Sequence, residues 1–153
     1  MRKRPWRRPD PQPLASPLRW VTAGALIVAA AAHLPVIPEH LQEATYMGVA
    51  FVVFTYASLA TAAVLLTADT RAVYLSAAVL GTAAVLTYAA SRIVPLPLLA
   101  DDVGNWAEPL GILAVATEAL AVLSAVGAWR TPRQANTVPS PQGNPVPGAD
   151  AES

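Results

Sequence analysis

The chain has 153 residues, 54% of them hydrophobic and only 13% charged, and it contains no cysteine. Its apolar residues gather into Ala-rich blocks separated by Pro and charge clusters, which is the composition of membrane spans rather than of a soluble core. The lack of cysteine excludes disulfides, thiolate metal sites and a Cys nucleophile, so a metal would need His, carboxylate, Met or backbone ligands.

Residues 1–16, MRKRPWRRPDPQPLAS, are basic and Pro-rich without apolar periodicity, which predicts a disordered arm near anionic headgroups. Ser16 and Pro17 suit the N-cap and first position of a helix. A first span is then expected over about 18–37, bent or ended by Pro35. Pro38 can open the next helix, whose first turns carry Glu39, His40 and Glu43 before an apolar span at about 45–67. The pair would be a helical hairpin with a polar elbow.

TADTR, residues 67–71, reads as a tight turn into a third span at about 72–91, closed by Arg92. The following IVPLPLLADDVGN has two prolines that forbid helix continuation and two aspartates that exclude burial in lipid. Asn105 and Glu108 have capping-box spacing, and Pro109 offers a second possible start for the fourth span, about 108–129. Residues 131–153 are rich in Pro, Gly, Ser, Asn and Gln and predict a disordered tail. The expected fold is therefore all-α: a four-transmembrane-helix bundle of two hairpins over 17–130, between disordered tails.

The net charge is zero, yet six of the ten Lys and Arg residues fall in the first nineteen positions. The arm, Arg71, Arg130 and Arg133 fall on one side of the spans and Arg92 on the other, so the positive-inside rule places both termini in the cytoplasm of a multi-pass cell-membrane protein. Trp20, Tyr74 and Trp129 then mark the inner interface, and Tyr46, Tyr88 and Trp106 the outer one. A basic start followed by an apolar run and Ala29–Ala32 also fits a cleavable signal peptide. Continuation of the apolar run through Leu34, Val36 and Ile37 favours a retained helix.

Both histidines and five of the ten carboxylates, Glu39, Glu43, Asp101, Asp102 and Glu108, fall at the outer ends of the helices. His40, Glu43 and Met47 project within about 60° of one another on a helix, and His33 approaches from the first span. Such a set could bind Zn or Cu, although the spacing matches no standard ligand motif. The alternative is a hydrated elbow whose charges keep the turn in water. Arg92, with Tyr88 one turn below it and Gly81 further down the same face, is expected to pair with Glu108 or Asp102 and fix the loop.

Glu118 is the exception in depth. It lies about ten residues into the fourth span, where a carboxylate costs about 2.5 kcal/mol or more on insertion scales. Gly111, Ala114, Ala121 and Ala125 share its face, so it should point into the bundle, with Tyr56 and Thr82 as hydrogen-bond candidates. Two readings stay open: a protonated Glu that glues helices together, or a proton or ion site.

Hydrolase, metalloprotease, P-loop and dinucleotide fingerprints are absent from the sequence, and the basic arm lacks the interleaved aromatics of a nucleic-acid binder apart from Trp6. Two histidines on one elbow do not suit a haem held between facing helices. The stretches AAHLPVIPEHLQEATYMGVAF and YAASRIVPLPLLADDVGNWAEPLGILAVATEAL resemble small four-helix integral membrane proteins of actinobacteria. The resemblance spans about residues 20–129 and implies that the outer polar residues act together; it carries no assigned activity. A looser likeness to DoxX-like proteins lies in size and layout alone. The expected function is an accessory or binding component in contact with lipid, with another membrane protein or further copies of itself as candidate partners. The alternative is a small transport or redox-associated protein using Glu118.

Overall fold

Alanine dominates the buried face of α1, Leu18–His33, because helices packed in lipid gain from close approach more than from bulky side chains. The computed structural model describes residues 16–130, so the expected arm (apart from Ser16) and tail lie outside the described residues. Pro35 does not end the first limb. It sits in a 3-10 turn, Leu34–Val36, and the chain runs on into α2, Ile37–Glu43, giving a continuous first limb of 26 residues. Proline is tolerated there because the first turn of a helical segment leaves its missing N–H without consequence.

The chain breaks instead at Ala44, whose φ of −138° and ψ of 77° leave the helical region. This corrects the expected elbow: His40 and Glu43 finish the first limb rather than begin the second span. Gly48 lets α2 fold back on α3, Thr45–Ala68, since a Cβ there would lie 2.6 Å from the Leu41 nitrogen. Helix α4 covers Arg71–Ile93 and α5 covers Pro109–Arg130, so Pro109, not Asn105, opens the last span.

Helices α3, α4 and α5 have 24, 23 and 22 residues. At 1.5 Å per residue they are ~33–36 Å long, enough to cross a hydrocarbon core of about 30 Å. Val53, Tyr56, Val79, Leu86 and Leu123 lie largely exposed on the outside of the bundle, an apolar surface suited to lipid.

Helix α1 packs beside α3 and α5, α4 packs on α5 and α3, and α1 and α4 barely meet across the diagonal. One end is sealed by Leu26, Ala62, Leu65, Tyr74, Ala77, Ala121 and Ala125. Thr22 Oγ1 donates to Ser124 Oγ at 2.8 Å between α1 and α5. Asp69, left-handed at φ 39°, closes the same end: its carboxylate accepts from the Tyr74 hydroxyl at 2.7 Å and from the Ser16 N–H at 3.1 Å, with Arg19 at 3.9 Å. Those partners offset the cost of burying a carboxylate. The described ends of the chain and the α3–α4 turn thus meet at one end of the bundle, and the Ala44 break and the 94–108 loop meet at the other.

Candidate functional site

At the loop end, Arg92 closes the last turn of α4 with its guanidinium buried. Its Nη1 lies 2.8 Å from Asp102 Oδ1, its Nη2 lies 2.8 Å from Glu108 Oε2, and its guanidinium sits 4.6 Å over the Tyr88 ring. A planar fork can satisfy two carboxylates at once, so the loop is pinned to α4 and to the start of α5. Tyr88 also donates to the Trp106 carbonyl, and Tyr46 reaches across to the Pro97 carbonyl at 2.9 Å.

Both histidines are anchored alike. His33 Nδ1 lies 2.8 Å from the Ala29 carbonyl, and His40 Nδ1 lies 2.8 Å from the Val36 carbonyl, one turn back in each case. A carbonyl only accepts, so Nδ1 carries the proton in both rings and each Nε2 is turned away from its own helix. Each ring stands 4.9 Å from Phe51, at steep angles of 63° and 66°, and His33 also packs 4.8 Å from Phe54.

Glu118 is 2% exposed and its Oε1 lies 3.8 Å from His33 Nε2. Depth explains the meeting. His33 stands ten residues before the end of the first limb and Glu118 nine residues after the start of α5, so both lie ~14–15 Å in from the loop end. The expected partners are not there: Tyr56 is 72% exposed on the outer surface of α3, and Thr82 is exposed as well. Gly81 brings α4 close behind Glu118, where a Cβ would lie 2.9 Å from its carbonyl oxygen.

These groups share one cavity of about 430 Å³, lined from all of the helices and the 94–108 loop. Arg92, Asp102 and Glu108 are on its wall with Glu39, His40 and Glu43, and Glu118 and His33 are at its inner part. Its volume falls in the range of small-molecule sites, about 300–1,000 Å³. Among the described residues no group of three or more His, Asp or Glu side chains gathers to hold a metal ion. Of the expected Zn or Cu set, His33, His40 and Glu43 all line the cavity, with the two rings flanking Phe51 and His33 facing Glu118.

Phe51, Phe54 and the His33–Glu118 pairing were not anticipated. The signal was present in α1, where Thr22, Leu26, Ala29 and His33 recur at helical spacing and are all buried. Comparison with protein-family models, curated proteins and solved structures finds no match to the chain.

Proposed function

We propose that the chain is a non-enzymatic binding component of the cell membrane whose ligand occupies the cavity between its helices. The observation that carries this reading is Glu118, buried in a span yet lining an enterable cavity beside His33. Intramembrane carboxylates are costly, and a site is the ordinary reason for one to be retained. The outer His and carboxylate residues and Glu118 are then parts of one site rather than rival candidates. The two stretches that resemble actinobacterial four-helix proteins supply the whole lining apart from Phe54, Ala83, Ala84 and Thr87.

The orientation belongs to the same proposal. Arg19, Arg71 and Arg130 cluster at the sealed end and Arg92 at the loop end, so the positive-inside rule puts the termini in the cytoplasm and the cavity toward the outside. A second reading, a small transport or redox-associated protein using Glu118 as a proton or ion site, draws on the same pair. With the His33 Nδ1 proton held by Ala29, Nε2 is free to exchange a proton with the Glu118 carboxyl group. The packing of Leu26, Leu65, Tyr74 and Ala121 beneath the cavity argues for a blind site over a through path.

Dicyclohexylcarbodiimide, an apolar reagent that attacks carboxyl groups in apolar surroundings, tests the site. Mass spectrometry of treated membranes is expected to find the adduct on Glu118 and to lose it in Glu118→Gln. Adducts confined to Glu39, Glu43 or Glu108 would set the reading aside. For orientation, alkaline phosphatase fused after Ala100 should be active and after Ala135 inactive; the reverse pattern overturns it.

A further inference from the structure

We infer that the cavity selects a small organic monocation, an ammonium group carrying an apolar substituent, with Glu118 as its charge partner. The inference rests on the reading of the cavity as a ligand site and adds the ligand's chemistry. The charges on the wall are unequal. Arg92 is engaged by Asp102 and Glu108 at 2.8 Å each, so no fixed positive charge is left over for the other carboxylates of the wall. Glu39, Glu43 and Glu118 therefore face the cavity with the two histidines as the groups of its wall that could still supply a positive charge.

Glu118 gives the imbalance a location. Its carboxylate receives no hydrogen bond from any described residue, and its one ion-pair contact among them, His33 Nε2 at 3.8 Å, is too long to be one. His33 from α1 reaches toward it, with Phe54 of α3 packed on the His33 ring and His40 of α2 on the far side of Phe51; Gly81 of α4 lies against its backbone carbonyl, and Thr55 of α3, ten residues in from the same end, is buried with its hydroxyl unpartnered among the described residues. A carboxyl group so placed, inside a span and without a donor, is completed by a ligand that brings a positive charge.

The rest of the wall sets the ligand's body. Phe51, Phe54 and Ala114 present apolar and aromatic surface near Glu118, and aromatic faces attract a desolvated ammonium group. The cavity wall already holds such a contact, between Arg92 and Tyr88. A volume of about 430 Å³ far exceeds a bare metal ion or a single water and accommodates an aryl-alkyl ammonium. The acidic rim, Glu39 and Glu43, would raise the local concentration of cations at the entrance.

Titration calorimetry of the full-length protein in nanodiscs tests this with benzyltrimethylammonium, which cannot lose its charge, and phenylmethanesulfonate, of similar shape and opposite sign. The cation is expected to bind at one site and the sulfonate to give no specific heat; this comparison needs no variant. Glu118→Gln is expected to weaken the cation about thirtyfold or more, the order expected when one member of a buried charge pair is lost. Equal binding of both probes, no cation binding, or an unchanged affinity in Glu118→Gln overturns the inference. If Glu118 takes the carbodiimide while the cation fails to bind, the inference falls and the ligand-site reading stands; if neither occurs, both fall.

Discussion

Replacing Gly81 by Ala isolates the contact that sets α4 against α5 behind Glu118. The added Cβ would stand 2.9 Å from the Glu118 carbonyl oxygen and 2.8 Å from Val122 Cγ2. Ordinary contact begins at 3.4 Å, so the helices must part by about 0.5 Å or the backbone must bend. Overpacking of this kind costs about 1–3 kcal/mol. Gly24→Ala is the internal control, since nothing lies within 4 Å of a Cβ at that position of α1. There the better helix propensity of Ala should gain about 0.5–1 kcal/mol. Gly81→Ala carries the same propensity gain, so the two variants should differ by the overpacking cost, roughly 1–3 kcal/mol, or about fivefold or more in the unfolding equilibrium constant. Reversible unfolding in mixed micelles of dodecyl sulfate and a mild detergent, followed by far-ultraviolet circular dichroism, reads that difference. Equal stabilities for the two variants would refute the close approach on which the geometry of the site depends.

Arg92→Lys keeps the charge but not the fork that holds Asp102 and Glu108 together, so hydrogen exchange in residues 94–108 should rise while exchange in the α1–α5 contact stays put; unchanged loop protection would contradict the clamp. Tyr74→Phe removes the hydroxyl that donates to buried Asp69 at 2.7 Å and should cost about 1–3 kcal/mol in the same unfolding assay. In an Asp69→Asn background that loss should shrink, and fully additive losses would show that the two groups do not act as a pair.

Four apolar blocks of the right length were enough to foresee four spans, because lipid leaves an apolar chain no alternative to a helix that satisfies its own backbone. Arg92 was also legible, since a lone cation among Asp102 and Glu108 has an obvious use. What escaped was depth. A Pro pair in sequence looks like a stop, but Pro35 and Pro38 each fall in the first turn of a helical segment, where proline does no harm. The first limb therefore runs to Glu43, and His33 moves from a surface elbow to the level of Glu118. Asp69 escaped for another reason: a five-residue polar turn looks hydrated, and only the return of Ser16 and Tyr74 to the same place buries it. Contacts of that kind depend on which ends of the helices meet, and periodicity within one helix does not record it.

The cavity and its opening are the centre of the account, and the natural absence of cysteine allows a direct measurement of both. Ala114 is 7% exposed and lines the cavity on the face of Glu118, whereas Ala125 is fully buried in the sealed end. Intact cells expressing Ala114→Cys or Ala125→Cys are treated with a membrane-impermeant methanethiosulfonate, and the modified fraction is read by mass spectrometry. The account predicts modification of Ala114→Cys from outside the cell, slowed by benzyltrimethylammonium, and none of Ala125→Cys. If Ala114→Cys is as unreactive as Ala125→Cys, or reacts only after the cytoplasmic face is opened, the claim of an outward-facing ligand cavity is contradicted.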